Sequence, residues 1–202
     1  MFVLTIDQRN SRADRDRVPE LLAELADIPT VLPFERSVGD EVQGVVEGAA
    51  SAVEIALKAL RSGHWYVGIG AGDVSLPLPA SSREGAGEAF IAAREAVEKA
   101  KRTGDRVPVC VRTAVPMPAA EAAEAVLVLL GDLVRKRSSS EWRVVDALAA
   151  EPGRRQLEVA KELGISPQAV SKAILRSGWV EERNGVKAAE ILLDQSHRNV
   201  GG

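Results

Sequence analysis

The stretch Gln156–Gly178, QLEVAKELGISPQAVSKAILRSG, decides how the C-terminal third of the chain is read. QLEVAKEL carries apolar residues at helical spacing and ends at Gly164, a residue that readily closes a helix in the left-handed conformation. Ile165 follows. Ser166 is an N-cap residue and Pro167 suits the first helical position, so a second helix starts there and runs to Gly178. Helix, glycine-containing turn, helix is the helix-turn-helix layout. Ala160, Gly164, Ile165, Val170 and Ile174 fall where two such helices must pack closely.

That packing leaves Gln168, Ala169, Ser171, Lys172, Leu175 and Arg176 off the buried face of the second helix. Gln, Ser, Lys and Arg are groups that meet base edges and phosphates, and a helix N-terminus favours phosphate. The DNA-contacting set expected from this is Gln168, Ser171, Lys172 and Arg176. Downstream, Trp179–Val186 reads as two short strands around Asn184-Gly185, a strong hairpin signal, with Arg183 at the tip of a wing. A closing helix is expected over residues 187–195. Upstream, Trp142, Val145, Leu148 and Ala149 predict one further helix. A three-helix bundle used for protein contacts is the plainer alternative. The segment resembles the helix-turn-helix segments of bacterial regulators. A single copy would bind weakly, and a dimer reading two half-sites would bind better.

Charge supports an uneven division of labour. The 202 residues carry a formal net charge of −3. Residues 1–134 sum to −6 and residues 135–202 to +3, an acidic body with a basic tail. Arg135-Lys136-Arg137-Ser138-Ser139-Ser140 reads as the boundary, giving domains 1–137 and 138–202.

The first 137 residues alternate strand and helix patterns with one hairpin, in the order β-α-β-β-α-β-α-β. The fold class expected is therefore α+β: a ferredoxin-like palm with an added strand, followed by a winged helix-turn-helix domain. Met1–Ile6 is the first strand, and Gly39-Asp40 lies near the hairpin tip. Trp65–Val74, WYVGIGAGDV, reads as a further strand; its glycines would suit a closely packed helix. In such a palm Asp7 and Asp40 face one sheet edge, where two carboxylates are suited to Mg²⁺ together with phosphates. Asp at a strand end or hairpin tip also has a simpler use, bonding local backbone. Ser81, Ser82 and Arg83 form a second candidate phosphate loop.

Ile6-Asp7 with Asn10-Ser11, Ser37–Gly44, Val67–Gly70, and Ser82–Glu84 with Gly87–Phe90 and Ala93–Ala96 together make the N-terminal region resemble the palm of class III nucleotidyl cyclases and GGDEF-type diguanylate cyclases. The whole chain, with its helix-turn-helix, resembles the SatD family more closely. The cyclase resemblance implies metal ligation by Asp7 and Asp40 and a phosphate-steadying role for Arg94. Phe90 stands where that resemblance calls for asparagine, and Val38 where the GGDEF form needs glycine, which argues against cyclisation or diguanylate synthesis.

Several classes are set aside. Apolar residues make up 46 % and charged residues 27 %, an ordinary globular balance. Apolar runs are too short for a membrane helix, and the N-terminus does not read as a signal peptide. Cys110 is the only cysteine, which removes an internal disulfide, and it alternates into the apolar side of its strand. The reading that results is a cytoplasmic, homodimeric DNA-binding transcriptional regulator. Its partner is double-stranded DNA, and its palm serves dimerisation or sensing of a nucleotide effector. The alternative is a metal-dependent nucleotide-binding or nucleotide-processing enzyme.

Overall fold

In the computed structural model, residues 1–151 and 153–198 are described. The chain is α+β, with an N-terminal region of mixed sheet and helices and an all-helical C-terminal region. Strand β1 (Phe2–Gln8) is followed by helix α1 (Val18–Leu25), the hairpin β2 (Leu32–Arg36) and β3 (Glu41–Val46), helix α2 (Ala49–Ser62) and strand β4 (Trp65–Ala71). A loop holding a short 3-10 turn (Ser82–Glu84) leads to helix α3 (Glu88–Ala100), strand β5 (Val109–Thr113) and helix α4 (Pro118–Lys136). Four helices close the chain: α5 (Ser139–Ala149), α6 (Gln156–Leu163), α7 (Pro167–Ser177) and α8 (Trp179–Arg198).

The sheet runs β2-β3-β1-β4-β5; every neighbour pair is antiparallel except β4 with β5. Alternation sorts its two faces. Phe2, Leu4, Ile6, Val67 and Ile69 enter the main core, which they share with α1, α2, α4 and α8. On the opposite face, Val3 and Val45 meet Ala89, Phe90 and Ala93 of α3. Gly68 and Gly70 make that second contact possible. A Cβ on either would overlap the α3 backbone at Ala89, Ala93 and Val97. Cys110 is buried against Ala96 and Ala100, and burial first of all pushes its thiol up to about 11, so it is core. The outer edge of β5 is covered by a side chain: Glu124 of α4 accepts from the backbone N–H of Val111 at 3.0 Å and pairs with Arg112.

α5, α6 and α7 pack around a small separate cluster of Val144, Ala147, Val159, Ala160 and Val170. The link from α4 to α5 is tight. Arg137 ends α4 and Ser138 caps α5, with Glu141 completing a reciprocal capping box.

The wing expected over Trp179–Val186 is absent, and this corrects the sequence reading. Those residues are the first turns of α8, a continuous helix through Arg198. The physical reason lies at Gly185. A Cβ there would press within 2.7 Å of Leu130 on α4, so this glycine serves a close helix–helix crossing and no turn. Trp179, Glu182, Val186, Ala189 and Leu193 recur at helical spacing, and Ala189 and Leu193 are fully buried in the main core. Glu181 and Glu182 in the first turn suit the positive end of the helix dipole. The closing helix expected at 187–195 is the second half of the same element, and Arg183 is an exposed helical residue beside the ring of Trp179.

Two substitutions test this packing. Leu193→Ala is expected to lower unfolding free energy by about 2–5 kcal/mol in urea titrations, as for a core leucine. Gly70→Ala is expected to cost about 1–3 kcal/mol through overpacking against α3. A change near zero for Leu193→Ala would detach α8 from the core.

Candidate functional site

The outward face of α7 is the first candidate surface. Gly164 closes α6 in the left-handed conformation at φ 64°, and the Ser166 side chain accepts from the Ala169 N–H at 3.2 Å to start α7. The two helices are thus joined by a three-residue turn. Val170 is buried and Ile174 partly so, which holds the inner side of α7. Gln168, Ser171, Lys172, Leu175 and Arg176 are all exposed on the other side. Leu175 is 78 % exposed, an apolar side chain with no intramolecular cover. Among the described residues neither Lys172 nor Arg176 belongs to an ion pair, though Arg176 lies near enough to Glu141 to help hold that carboxyl down, after the hydrogen bonds from Ser138. Arg183, expected to join this set from a wing, sits instead on α8.

One side chain that the sequence did not single out fixes how this three-helix unit meets the sheet region. Arg137 is buried, its side chain 1 % exposed. Its Nε donates to the Ser177 carbonyl at the end of α7 at 2.8 Å. Its Nη2 lies 2.7 Å from Glu182 of α8, and its guanidinium lies 4.7 Å from the Trp142 ring of α5. In sequence it looked like one of three solvated cations in a linker, and no local signal marks it as buried.

The second candidate surface lies on the α3 face of the sheet. Two adjoining clefts, of about 530 and 480 Å³, share Arg83 and Arg94. The larger is lined by Gln43, Phe90 and Glu95 among others; the other reaches Ser37 and Val38 at the hairpin. Glu35 pins the loop: it accepts from the Ser81 hydroxyl, from Ser82 at 3.0 Å and from the Arg83 N–H at 3.3 Å. The Ser81 bond leads in holding the Glu35 carboxyl below its ordinary range. Ser81 and Ser82 therefore spend their hydroxyls on the loop, while Arg83 and Arg94 are exposed and, among the described residues, have no carboxylate within ion-pair distance. Phe90 fills the floor beneath Gly85, where a Cβ would overlap its ring.

Asp7 and Asp40 lie at the same end of the sheet, near enough for the Asp40 charge to help raise the Asp7 carboxyl, after burial. The strand register sets Glu41, not Asp40, directly across from Asp7. Asp7 is met by the Lys101 ammonium at 2.9 Å, and Lys101 also holds Glu98 at 2.8 Å. The charge that would draw a cation to Asp7 is already compensated, and among the described residues no three His, Cys, Asp or Glu side chains gather as a ligand set. The arrangement does not fit a metal centre. Burial pushes the carboxyl of Asp7 up, against the pull of Lys101. Glu41 is also pushed up by burial, with Arg94 pulling it back. Burial opposes the charge on Lys101, yet its bonds to Glu98 and Asp7 outweigh this and leave it raised. Lys101 stands one residue past α3, too far along the chain from Asp7 for sequence spacing to connect them.

Compared with known proteins, the chain matches no family profile, no curated protein and no solved structure.

The raised carboxyls make a pH prediction. A carboxyl whose folded pKa exceeds its unfolded value adds stability below about pH 4 and loses it as the pH climbs through the folded pKa. Asp7 and Glu41 therefore make unfolding free energy fall as pH rises above 4. Asp7→Asn is expected to flatten that fall, read as urea midpoints between about pH 4 and 7. A steeper fall in the variant would mean that the Lys101 contact outweighs burial.

Proposed function

We propose that this chain is a DNA-binding transcriptional regulator in which α5, α6 and α7 form the helix-turn-helix reader. The observation that carries this reading is the outward face of α7: Gln168, Ser171, Lys172 and Arg176 are all exposed while Val170 and Ile174 anchor the helix from behind. Lys172 and Arg176 lie one turn apart, a spacing that lets both reach one phosphate run or one groove edge. The start of α7 adds the positive end of its helix dipole. The reader has no wing, so contacts outside the groove come from the α6–α7 turn. Residues 139–177 hold six Lys and Arg against five Asp and Glu, so one copy binds weakly and two half-sites read by a homodimer supply the affinity.

In the same proposal the N-terminal region is a ferredoxin-like, nucleotidyl-cyclase-like palm that serves dimerisation or ligand sensing. Its strand order β2-β3-β1-β4, all antiparallel, with α1 and α2 sharing one core face, favours that reading. A second reading rests on the clefts at Arg83 and Arg94. Two exposed, unpaired guanidinium groups beside a glycine-containing loop suit a phosphate-bearing ligand such as a nucleotide, in either a sensing or a processing role.

Binding to a pool of duplex DNA of random sequence, followed by selection, tests the first reading. Lys172→Ala and Arg176→Ala are each expected to weaken binding about 5- to 150-fold at a base-contacting position, or to lower the salt slope by about 0.9 at a phosphate-contacting one. Wild-type affinity and salt slope in both variants would remove α7 from the interface. Binding of nucleoside triphosphates that is lost in Arg94→Ala, with DNA binding intact, would favour the second reading for the palm.

A further inference from the structure

The outward side of α4 carries an apolar seam that the chain covers only in part. Ala122, Val126, Leu129 and Leu133 recur at spacings of four, three and four, the repeat of a helix-pairing stripe. Leu129 is 71 % exposed and the other three are half-buried, whereas Leu127, Leu130 and Val134 on the other side of the helix belong to the core. Contact of Gly185 with Leu130 fixes which side of α8 lies along α4. Ala188 and Leu192 stand three and seven residues on from Gly185, so the α8 neighbour of the seam is apolar as well, Ala188 exposed and Leu192 half-buried. At its far end the seam reaches α7, because Leu133 and the exposed Leu175 line one hollow of about 220 Å³. A single exposed leucine would call for no partner. An apolar strip contributed by three helices is a different case.

The charges beside the seam single out its occupant. Glu121 stands in the first turn of α4 and Arg135 in the last, both on the flank away from α8. Among the described residues neither belongs to an ion pair, while Asp132 and Lys136 hold each other at 2.6 Å. Two copies of α4 laid antiparallel, about a two-fold axis midway between Val126 and Leu129, complement one another. Val126 then faces Leu129 of the second copy, and Ala122 faces Leu133, small against large. The same rotation brings each Glu121 to within one residue of level with the other copy's Arg135, and it opposes the two helix dipoles, the favourable sense. A parallel pairing would set Glu121 on Glu121, Arg135 on Arg135 and Ala122 on Ala122, with like charges together and a gap at one end.

We infer that the exposed face of α4 is the surface on which two copies of this chain pair, their α4 helices antiparallel, with Val126 and Leu129 at the two-fold axis and Glu121 of each copy beside Arg135 of the other. This gives the homodimer of the proposed regulator its contact surface and to that extent rests on that reading. Self-association is measured without DNA, so the two fail separately: DNA binding by a chain that stays monomeric would remove this interface and leave the α7 reader standing.

Sedimentation of the full chain, without DNA, is expected to show a dimer that forms within the range of about 1 to 100 μM or below it. In Leu129→Asp the dissociation constant is expected to rise more than about tenfold, because each copy then buries a carboxylate at the axis. The circular dichroism spectrum is expected to stay unchanged, since position 129 lies outside the core. Glu121→Arg and Arg135→Glu are each expected to weaken pairing about tenfold through two like-charge contacts per dimer, and the double variant to restore it. A chain that stays monomeric at about 100 μM would overturn the inference. So would assembly beyond a dimer, wild-type pairing in Leu129→Asp, or a double variant that pairs no better than either single one.

Discussion

The arrangement of the molecule turns on the buried guanidinium of Arg137. It is placed where α4 ends, and it touches α5 through Trp142, α7 through the Ser177 carbonyl and α8 through Glu182. Four helices thus meet at one charged group. Burying an arginine is costly, and a buried ion pair adds little net stability over apolar side chains of the same shape. What it adds is direction. The guanidinium has fixed donor vectors, and with Nε on the Ser177 carbonyl and Nη2 2.7 Å from Glu182 it ties the end of α7 to α8. The joint sets the end of α7 beside α8, which runs back across α4 into the main core.

The sheet shows a related constraint of a different kind. Backbone overlap, not charge, sets the distance between α3 and β4, because Gly68 and Gly70 have no Cβ to hold the helix off. The close seat of α3 then delivers Lys101 to Asp7 and Arg94 to the neighbourhood of Glu41. The α3 face thus divides into a paired carboxylate–ammonium end and an open, guanidinium-lined end. The open end is where a ligand's negative charge would be met, and the closed end is already electrically satisfied.

The α7 face and the cavity between α2, α5 and α8 share a frame. α8 lines the cavity with Trp179, Glu182, Val186 and Glu190, and Glu182 is also the partner of Arg137.

Much of the fold was legible in residue order. The alternating apolar runs marked β1, β3 and β4, and helical spacing with a capping serine and closing glycines marked α2, α6 and α7, because these signals act within one or two turns of chain. The exposed face of α7 followed from the same periodicity. Asn184-Gly185 was misleading for a long-range reason: its hairpin preference is a local one, and contact of Gly185 with Leu130 together with burial of Ala189 and Leu193 outweighs it. The pairing of Asp7 with Lys101, the register that sets Glu41 opposite Asp7, the burial of Arg137 and the cavity between α2, α5 and α8 join residues far apart in the chain. Sequence determined which segments form helices and strands and which faces are apolar. Only the packed chain decided which charges are spent on each other and which are left to meet a partner, since that depends on distances through space that no local pattern encodes.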